Sequence, residues 1–256
     1  MKKIFIHIGN FKTASTSLQR FIFLNQNLFK ENNIQVLVEK NFGITTNNMA
    51  LFKHINNMNK IKIKKYFSKV SKKKNLLITC EYFSTFSNDL DRLTFLKNVM
   101  RQLGFKPIII YYYRADSSYL YSFYAELLTH RKSIKIDSVF DFVKKIKKKG
   151  YYSNIKNKKY FLSQKYYFNN REIMNNWKKI FKKDFNLIKF DKNKDKKIFT
   201  DFLKNLKIKN ISQFKIPLKT NKTRKIKFWN LKRIFYYNYL KLSQRKIFKD
   251  KDLNIS

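Results

Sequence analysis

"KKIFIHIGNFKTASTSLQ", Lys2 to Gln19, changes character twice within eighteen residues. The run from Lys3 to Gly9 is almost wholly apolar and ends on glycine, as a buried parallel strand does. From Ser15 the period changes, and Leu18, Phe21, Ile22 and Leu28 recur at three- and four-residue steps, the spacing of one helix face. Between them Lys12, Thr13, Ser15, Thr16 and Ser17 crowd the turn. A strand, a tight turn and a helix whose first turn exposes free N–H groups make an anion site, because the helix dipole adds roughly half a positive charge there. Lys12 adds a full charge, and the hydroxyls add donors. The same residues also fit a plain helix cap made by Thr13 or Ser15. The stretch taken alone leaves both readings open.

Outward from it, strand and helix patterns alternate. "IQVLVEK" (34–40) reads as a second strand, and an amphipathic helix fits within 49–70. "NLLITCE" (75–81) is a strand, "DRLTFLKNVMRQLG" a helix stopped by Gly104, and "KPIIIYYYR" (106–114) the most strand-like run in the chain. "SSYLYSFYAELLTHR" reads as the next helix. This alternation predicts an α/β fold with a central parallel sheet flanked by helices, in three layers. Beyond residue 132 the pattern is mainly helical, "SVFDFVKKIKK", "REIMNNWKKIF" and "KIFTDFLKNLKI", with one further strand, "FNLIKF" (185–190). Trp177 and Phe202 are expected in the core, and the tail from 225 onward combines an aromatic stripe with a basic face. The expectation is a single domain over 1–256, in which 1–132 forms the α/β part and a mainly helical 133–256 completes it.

Composition bounds the function. Hydrophobic residues make up 43% of the 256, enough for a real core, so disorder is not expected. The single cysteine, Cys80, excludes a disulfide framework, and three scattered histidines point away from a zinc centre. No run approaches the roughly 18 apolar residues of a membrane span. The strand at residue 3 leaves no room ahead of it for a signal peptide, which predicts a protein of a bacterial cytoplasm. With 58 Lys and Arg against 16 Asp and Glu, the net charge is +42, a field that draws in polyanions. Part of that excess follows from the abundance of residues with A/T-rich codons.

The turn is not a nucleotide-triphosphatase loop. Phe11 stands where that motif carries glycine before its lysine, and neither "LLITC" nor "IIIYYY" runs into a magnesium-binding aspartate. They run into Glu81 and Arg114. A strand ending on arginine points to a second anion rather than a metal, since the planar guanidinium binds phosphate bidentately.

"HIGNFKTASTSLQ" resembles the opening loop of sulfotransferases that use 3′-phosphoadenosine 5′-phosphosulfate (PAPS), above all the bacterial and carbohydrate-modifying members, which read approximately H-I-G-x-x-K-T-G-T-T-S-L-Q. A second signature of that family is a strand, an Arg, and a Ser eight residues later on the following helix. "YYYRADSSYLYSFY" carries Arg114 and Ser122 at that spacing, in the right order. The resemblance implies a P-loop-like fold in which 1–132 binds the donor. It implies that Lys12, Thr13, Ala14, Ser15, Thr16 and Ser17 wrap the 5′-phosphate and that Arg114 and Ser122 hold the 3′-phosphate. A later segment closing over the nucleotide finds its counterpart in "PLKTNKTRK" (217–225), with Asn221, Lys222 and Arg224. Lys12 then stabilises the leaving phosphate, with no metal, as PAP departs. Related enzymes place a His or Glu at the end of the strand preceding the 3′-phosphate strand, and Glu81 holds that position as general base. His7 lies within the motif as either a packed strand residue or a reactive one.

Ala14 departs from the pattern, standing where the family has glycine, so the loop must tolerate a Cβ there. The reaction implied is transfer of a sulfuryl group from PAPS to a hydroxyl of a carbohydrate or glycan, anionic or lipid-linked, with acceptor loops at 41–70 and 130–170. Competing readings are a basic nucleic-acid-binding protein, disfavoured because no specific nucleic-acid module appears, and an inactive sulfotransferase-like protein. The basic aromatic tail also fits a helix lying on an anionic membrane or joining a dimer.

Overall fold

The computed structural model describes residues 1–11, 13–39, 47–68, 70–71, 73–114, 119–125, 138–152, 166–191 and 196–217. The Asn221, Lys222 and Arg224 segment and the basic aromatic tail lie outside the described residues. The chain splits into two compact units, one formed by Met1–Tyr113 with Met174–Thr220, the other taking in Arg114–Ile173.

The first unit is built on a five-stranded parallel sheet. Its strands are β1 (Lys2–Gly9), β2 (Ile34–Val36), β3 (Asn75–Thr79), β4 (Phe105–Tyr113) and a strand at Phe185–Lys189. In sheet order they run β2, β3, β1, β4 and then Phe185–Lys189. β1 is central: Ile4 to His7 pair with Leu76 to Thr79 on one side, and Lys2 to Gly9 with Phe105 to Tyr111 on the other. Residues 4–9 are buried throughout, as expected of a strand covered on both faces. Because every pairing in this sheet is parallel, all five carboxyl ends lie on one edge, the edge where open α/β sheets bind ligands.

Helices cover both faces. On one, α1 (Ser15–Leu24) packs through Leu18, Phe21 and Ile22 onto Phe5, Leu77, Ile110 and Tyr112, joined by Phe199, Phe202 and Leu203 of a helix at Lys197–Asn205. Phe21 is central there, its ring 4.7 Å from Phe199 and 5.8 Å from Phe214. α1 stops at Asn25, and the helical run continues as the short α2 (Gln26–Glu31), so Leu28 belongs to a second helix. Asn25 makes that break: its Nδ2 donates to the Phe21 and Lys215 carbonyls, and its Oδ1 accepts from Lys215 N. The helix expected within 49–70 is likewise two, α3 (Met49–Asn56) and α4 (Lys60–Phe67). Met58 between them turns left-handed at φ 49°, and Asn59 caps α4 by accepting from Lys62 N at 2.9 Å. α5 (Leu90–Gln102) follows β3 and ends, as expected, at Gly104 with φ 88°. β2 is shorter than the sequence predicts, ending at Val36 although Leu37 N still donates to Leu77 O.

The second unit holds helical residues 119–125 and α6 (Val139–Lys149), followed by an antiparallel pair, β5 (Tyr151–Tyr152) and β6 (Tyr166–Tyr167), that two-residue strands make illegible in sequence. Its core is aromatic: Tyr119, Phe123, Tyr124, Phe142, Tyr152, Tyr166 and Phe168 are all buried. α7 (Asn170–Phe181) leads out of it, and the parallel strand that follows is β7 (Phe185–Lys189), with α8 (Lys197–Asn205) after that. Trp177 and Phe202 are buried as expected, Trp177 Nε1 donating to Ser87 Oγ at 3.0 Å.

His7 is fully buried on β1, its Nδ1 sharing a 2.8 Å hydrogen bond with the Thr79 hydroxyl and its ring edge-on to Tyr112 and Phe202. Nε2 has no hydrogen-bond partner among the described residues. Burial pulls its pKa from 6.5 down to about 3, so the imidazole is neutral at neutral pH. It is a packed strand residue.

Two outcomes follow. Phe21→Ala costs about 3–5 kcal/mol in urea unfolding, since it empties the centre of an aromatic cluster. The second concerns pH. With the folded-state value of His7 below the unfolded one, its contribution is complete above pH 6.5 and lost as pH falls toward 3. Between pH 7 and pH 5 it amounts to about 2 kcal/mol. His7→Gln flattens the slope of unfolding free energy over that window; an unchanged slope contradicts a buried neutral imidazole.

Candidate functional site

The turn after β1 is organised by Asn10. Its backbone N–H donates to Tyr112 O at 2.8 Å, extending the β1–β4 pairing by one rung. Its side-chain Oδ1 accepts from Phe11 N at 2.8 Å, and its Nδ2 donates to the Tyr111 hydroxyl at 3.2 Å. Its carbonyl accepts two hydroxyls, Thr13 Oγ1 at 2.6 Å and Ser15 Oγ at 3.1 Å. Thr13 and Ser15 are therefore loop-closing residues, and neither caps α1 through its side chain. Nothing in the residue pattern marked Asn10; the signal was its place between a glycine-ended strand and the first hydroxyl.

With both hydroxyls turned inward, α1 opens without a side-chain cap and without an acidic residue in its first turn. Its first internal bond runs from Leu18 N to Ala14 O. The amides ahead of Leu18 are those that a helix leaves for an outside acceptor. Thr16 is exposed and Ser17 half-buried at this end. Ala14, at the N-cap, adopts φ 59° and ψ 28°, the left-handed conformation that suits glycine. The Cβ foreseen as a difficulty there costs about 1–2 kcal/mol of backbone strain. Lys12 lies outside the described residues; Phe11 and Thr13 on either side of it are buried, and the Phe11 ring packs edge-on to Tyr82 at 5.2 Å.

Glu81 stands against this turn. It opens a 3₁₀ turn, Glu81–Phe86, one residue after Cys80, whose N–H donates to His7 O at 3.0 Å. Gly9 has φ 85°, and a Cβ built on it would lie 3.0 Å from Glu81 Cβ and 3.1 Å from Glu81 Cα. That contact is why glycine ends β1: any side chain would push apart the turn and the strand end that carries Glu81. Glu81 is half-buried, just past the carboxyl end of β3. The Cys80 thiol beside it is buried, and burial raises its pKa, which keeps it protonated and unreactive.

The far side of β3 is closed by Asn48, which the sequence did not single out. Past Leu37 the β2 segment no longer pairs, and Asn48 takes its place: Asn48 N donates to Thr79 O at 2.8 Å while Asn48 Oδ1 accepts from Thr79 N at 2.8 Å. Asn48 Nδ2 donates to Leu37 O and to the Tyr66 hydroxyl, both at 2.9 Å. Tyr66 in turn donates to Glu39 Oε1 at 3.0 Å, and Glu39 accepts from Ala50 N and Leu51 N at the start of α3. Glu39 thus serves as an acceptor for the α3 N-terminus.

Arg114 and Ser122 belong to the second unit. Arg114 directly follows β4, is half-buried, and has its pKa lowered by that burial; its carbonyl accepts from Asn170 Nδ2 at 2.7 Å. Ser122 is half-buried among helical residues whose neighbours Phe123 and Tyr124 face the aromatic core. Residues 115–118 between them lie outside the described residues. Among the described residues no group of three His, Cys, Asp or Glu could hold a metal ion, and no helix is long and apolar enough to cross a membrane.

No protein-family model matches this chain, and no curated protein matches it in sequence. Several solved structures are similar to it, two of them sulfotransferases. One is a sulfotransferase from Alicyclobacillus acidocaldarius, 12% identical, with a TM-score of 0.48 over 97% of this chain and 94% of that one. The other is mouse sulfotransferase SULT7A1 complexed with PAP, 15% identical, with a TM-score of 0.42 over 96% of this chain and 66% of that one. At these TM-scores neither likeness assigns a family.

Proposed function

We propose that this protein is a sulfotransferase that moves a sulfuryl group from PAPS to a hydroxyl of a carbohydrate acceptor, soluble or lipid-linked, in the cytoplasm. The observation that carries the reading is the uncapped start of α1 with Glu81 packed directly against the same turn through Gly9. A helix start whose adjacent hydroxyls are committed to Asn10 leaves backbone amides for an anion. A carboxylate beside it can take a proton. The motif residues Lys12, Arg114 and Ser122 support the same reading from sequence.

The donor supplies an activated sulfuryl group and a phosphate leaving group. Glu81 accepts the proton of the acceptor hydroxyl as its oxygen bonds to sulfur and the bond from sulfur to the phosphate oxygen breaks. The α1 amides and Lys12 neutralise the charge left on that phosphate, a role that requires preorganised donors and no metal. Arg114 and Ser122 hold the 3′-phosphate, and Asn221, Lys222 and Arg224 complete the nucleotide contacts. Residues 1–256 act as one enzyme, with no specific nucleic-acid partner.

Calorimetry with PAP and turnover of PAPS with candidate glycans test this. Lys12→Ala and Arg114→Ala each weaken PAP binding at least tenfold, the loss of one charge-assisted contact. Glu81→Gln leaves PAP affinity within about threefold and lowers turnover by about 10²–10⁴. No heat with PAP, or full turnover in Glu81→Gln, overturns the reading. Ala14→Gly removes the left-handed strain, raising the thermal midpoint by about 2–4 °C and tightening PAP binding. If the chain is an inactive relative, the thermal shift remains and neither variant nor wild type turns over.

A further inference from the structure

α6 places an apolar ring on a lysine-covered surface. Phe142 and Ile146 of this helix are buried, with the Phe142 ring 4.9 Å from Tyr124 and 5.1 Å from Tyr152, so the helix is seated on its unit by one stripe. Phe140 is on another stripe and is 60% exposed. Positions four and seven residues further along the same face are Lys144 and Lys147, and Lys148 lies beside them, all exposed. The helix carries five lysines and a single acid, Asp141. That acid is engaged at the helix start, where its N–H donates to Ser138 Oγ and its Oδ2 accepts from the same hydroxyl at 2.7 Å. The exposed stripe is therefore cationic and includes one phenyl side chain that is more than half exposed.

We propose that this stripe of α6 is a contact for an anionic membrane surface, Phe140 entering the boundary between headgroups and acyl chains while Lys144, Lys147 and Lys148 meet the lipid phosphates. Lysines near such a surface each strengthen attachment about fivefold, and an aromatic ring at the same depth adds salt-independent affinity. A membrane suits the site better than a nucleic acid because a single ring on a convex helix can insert between acyl chains but offers no flat, continuous platform for successive bases. The contact does not depend on sulfuryl transfer, though it would suit a lipid-linked acceptor.

The full chain is sedimented with vesicles of phosphatidylcholine alone or of phosphatidylcholine and phosphatidylserine at 7:3, across a salt series. Binding to the anionic vesicles is expected to exceed binding to the neutral ones by about a hundredfold at physiological salt. Phe140→Ser is expected to lose about fivefold and Phe140→Leu to retain most of the affinity. Lys144→Glu/Lys147→Glu/Lys148→Glu is expected to lose about a hundredfold, against a much smaller loss for Lys204→Glu/Lys207→Glu/Lys209→Glu, three exposed lysines elsewhere with the same change in charge. Equal losses in the two triple variants would show attachment by overall charge and overturn the proposal. So would wild-type affinity in Phe140→Ser, or an equal loss in Ile61→Ser, which removes another exposed apolar side chain from the lysine-rich α4. Binding of an oligouridylate tighter than the anionic vesicles, with the same dependence on Phe140, would reassign the stripe to nucleic acid. Each variant is checked by its helical circular dichroism and its PAP affinity, so a folding failure or a failure of the sulfotransferase reading is seen separately.

Discussion

The Asn10 carbonyl accepts two hydroxyl protons, from Thr13 and Ser15, and the rest of the site is arranged around that pair of bonds. Each contributes about 0.5–1.5 kcal/mol net, modest against the whole fold. Their consequence is directional. A hydroxyl donating inward cannot cap the helix behind it, so α1 begins with its amides uncommitted to any side chain. The turn thus trades a local stabilisation for a place where negative charge is favoured. The same geometry forces Ala14 into a left-handed conformation, a strain that the buried neighbours on either side sustain.

A second constraint is the approach of two strand ends. Gly9 and Glu81 approach so closely that a Cβ on Gly9 would lie 3.0 Å from Glu81 Cβ and 3.1 Å from Glu81 Cα. Because β1 and β3 are parallel and pair from Ile4 with Leu76 to His7 with Thr79, their carboxyl ends arrive together. The register is set far from the site, by apolar residues on both faces of the sheet. Asn48 then secures the other side of β3 with both its backbone and its amide, where β2 has already left the sheet. Asparagine serves because one residue presents a donor and an acceptor in the order a strand would. Glu81 is in this way held between a glycine turn and a clamped strand end.

His7 shows how little a motif position says about its role. It falls inside the polar opening segment, yet it lies on the face of β1 shared with Phe5, against Tyr112 and Phe202, and its ring is neutral. A period-two strand pattern carries it into the core regardless of its chemistry. Thr13 and Ser15 illustrate the same point in reverse, as polar side chains that look inward to the backbone rather than outward to a ligand.

The residue pattern by itself determined the layering. Runs such as "KIFIHIG" and "KPIIIYYY" are too apolar for anything but strands buried on both faces, and the helical periods between them leave a parallel sheet as the arrangement that buries both. It also marked the turn and the strand-end carboxylate, since glycine, lysine and glutamate follow apolar runs abruptly. Only the tertiary structure decided which way the turn hydroxyls point, that a helix read as one breaks at Asn25 or Met58, and that Asn10 and Asn48 hold the site. The physical reason is range. Burial periodicity is written in neighbouring residues, whereas a hydrogen bond between Asn48 and Thr79, or a contact between Gly9 and Glu81, joins positions that become neighbours only once the sheet has formed.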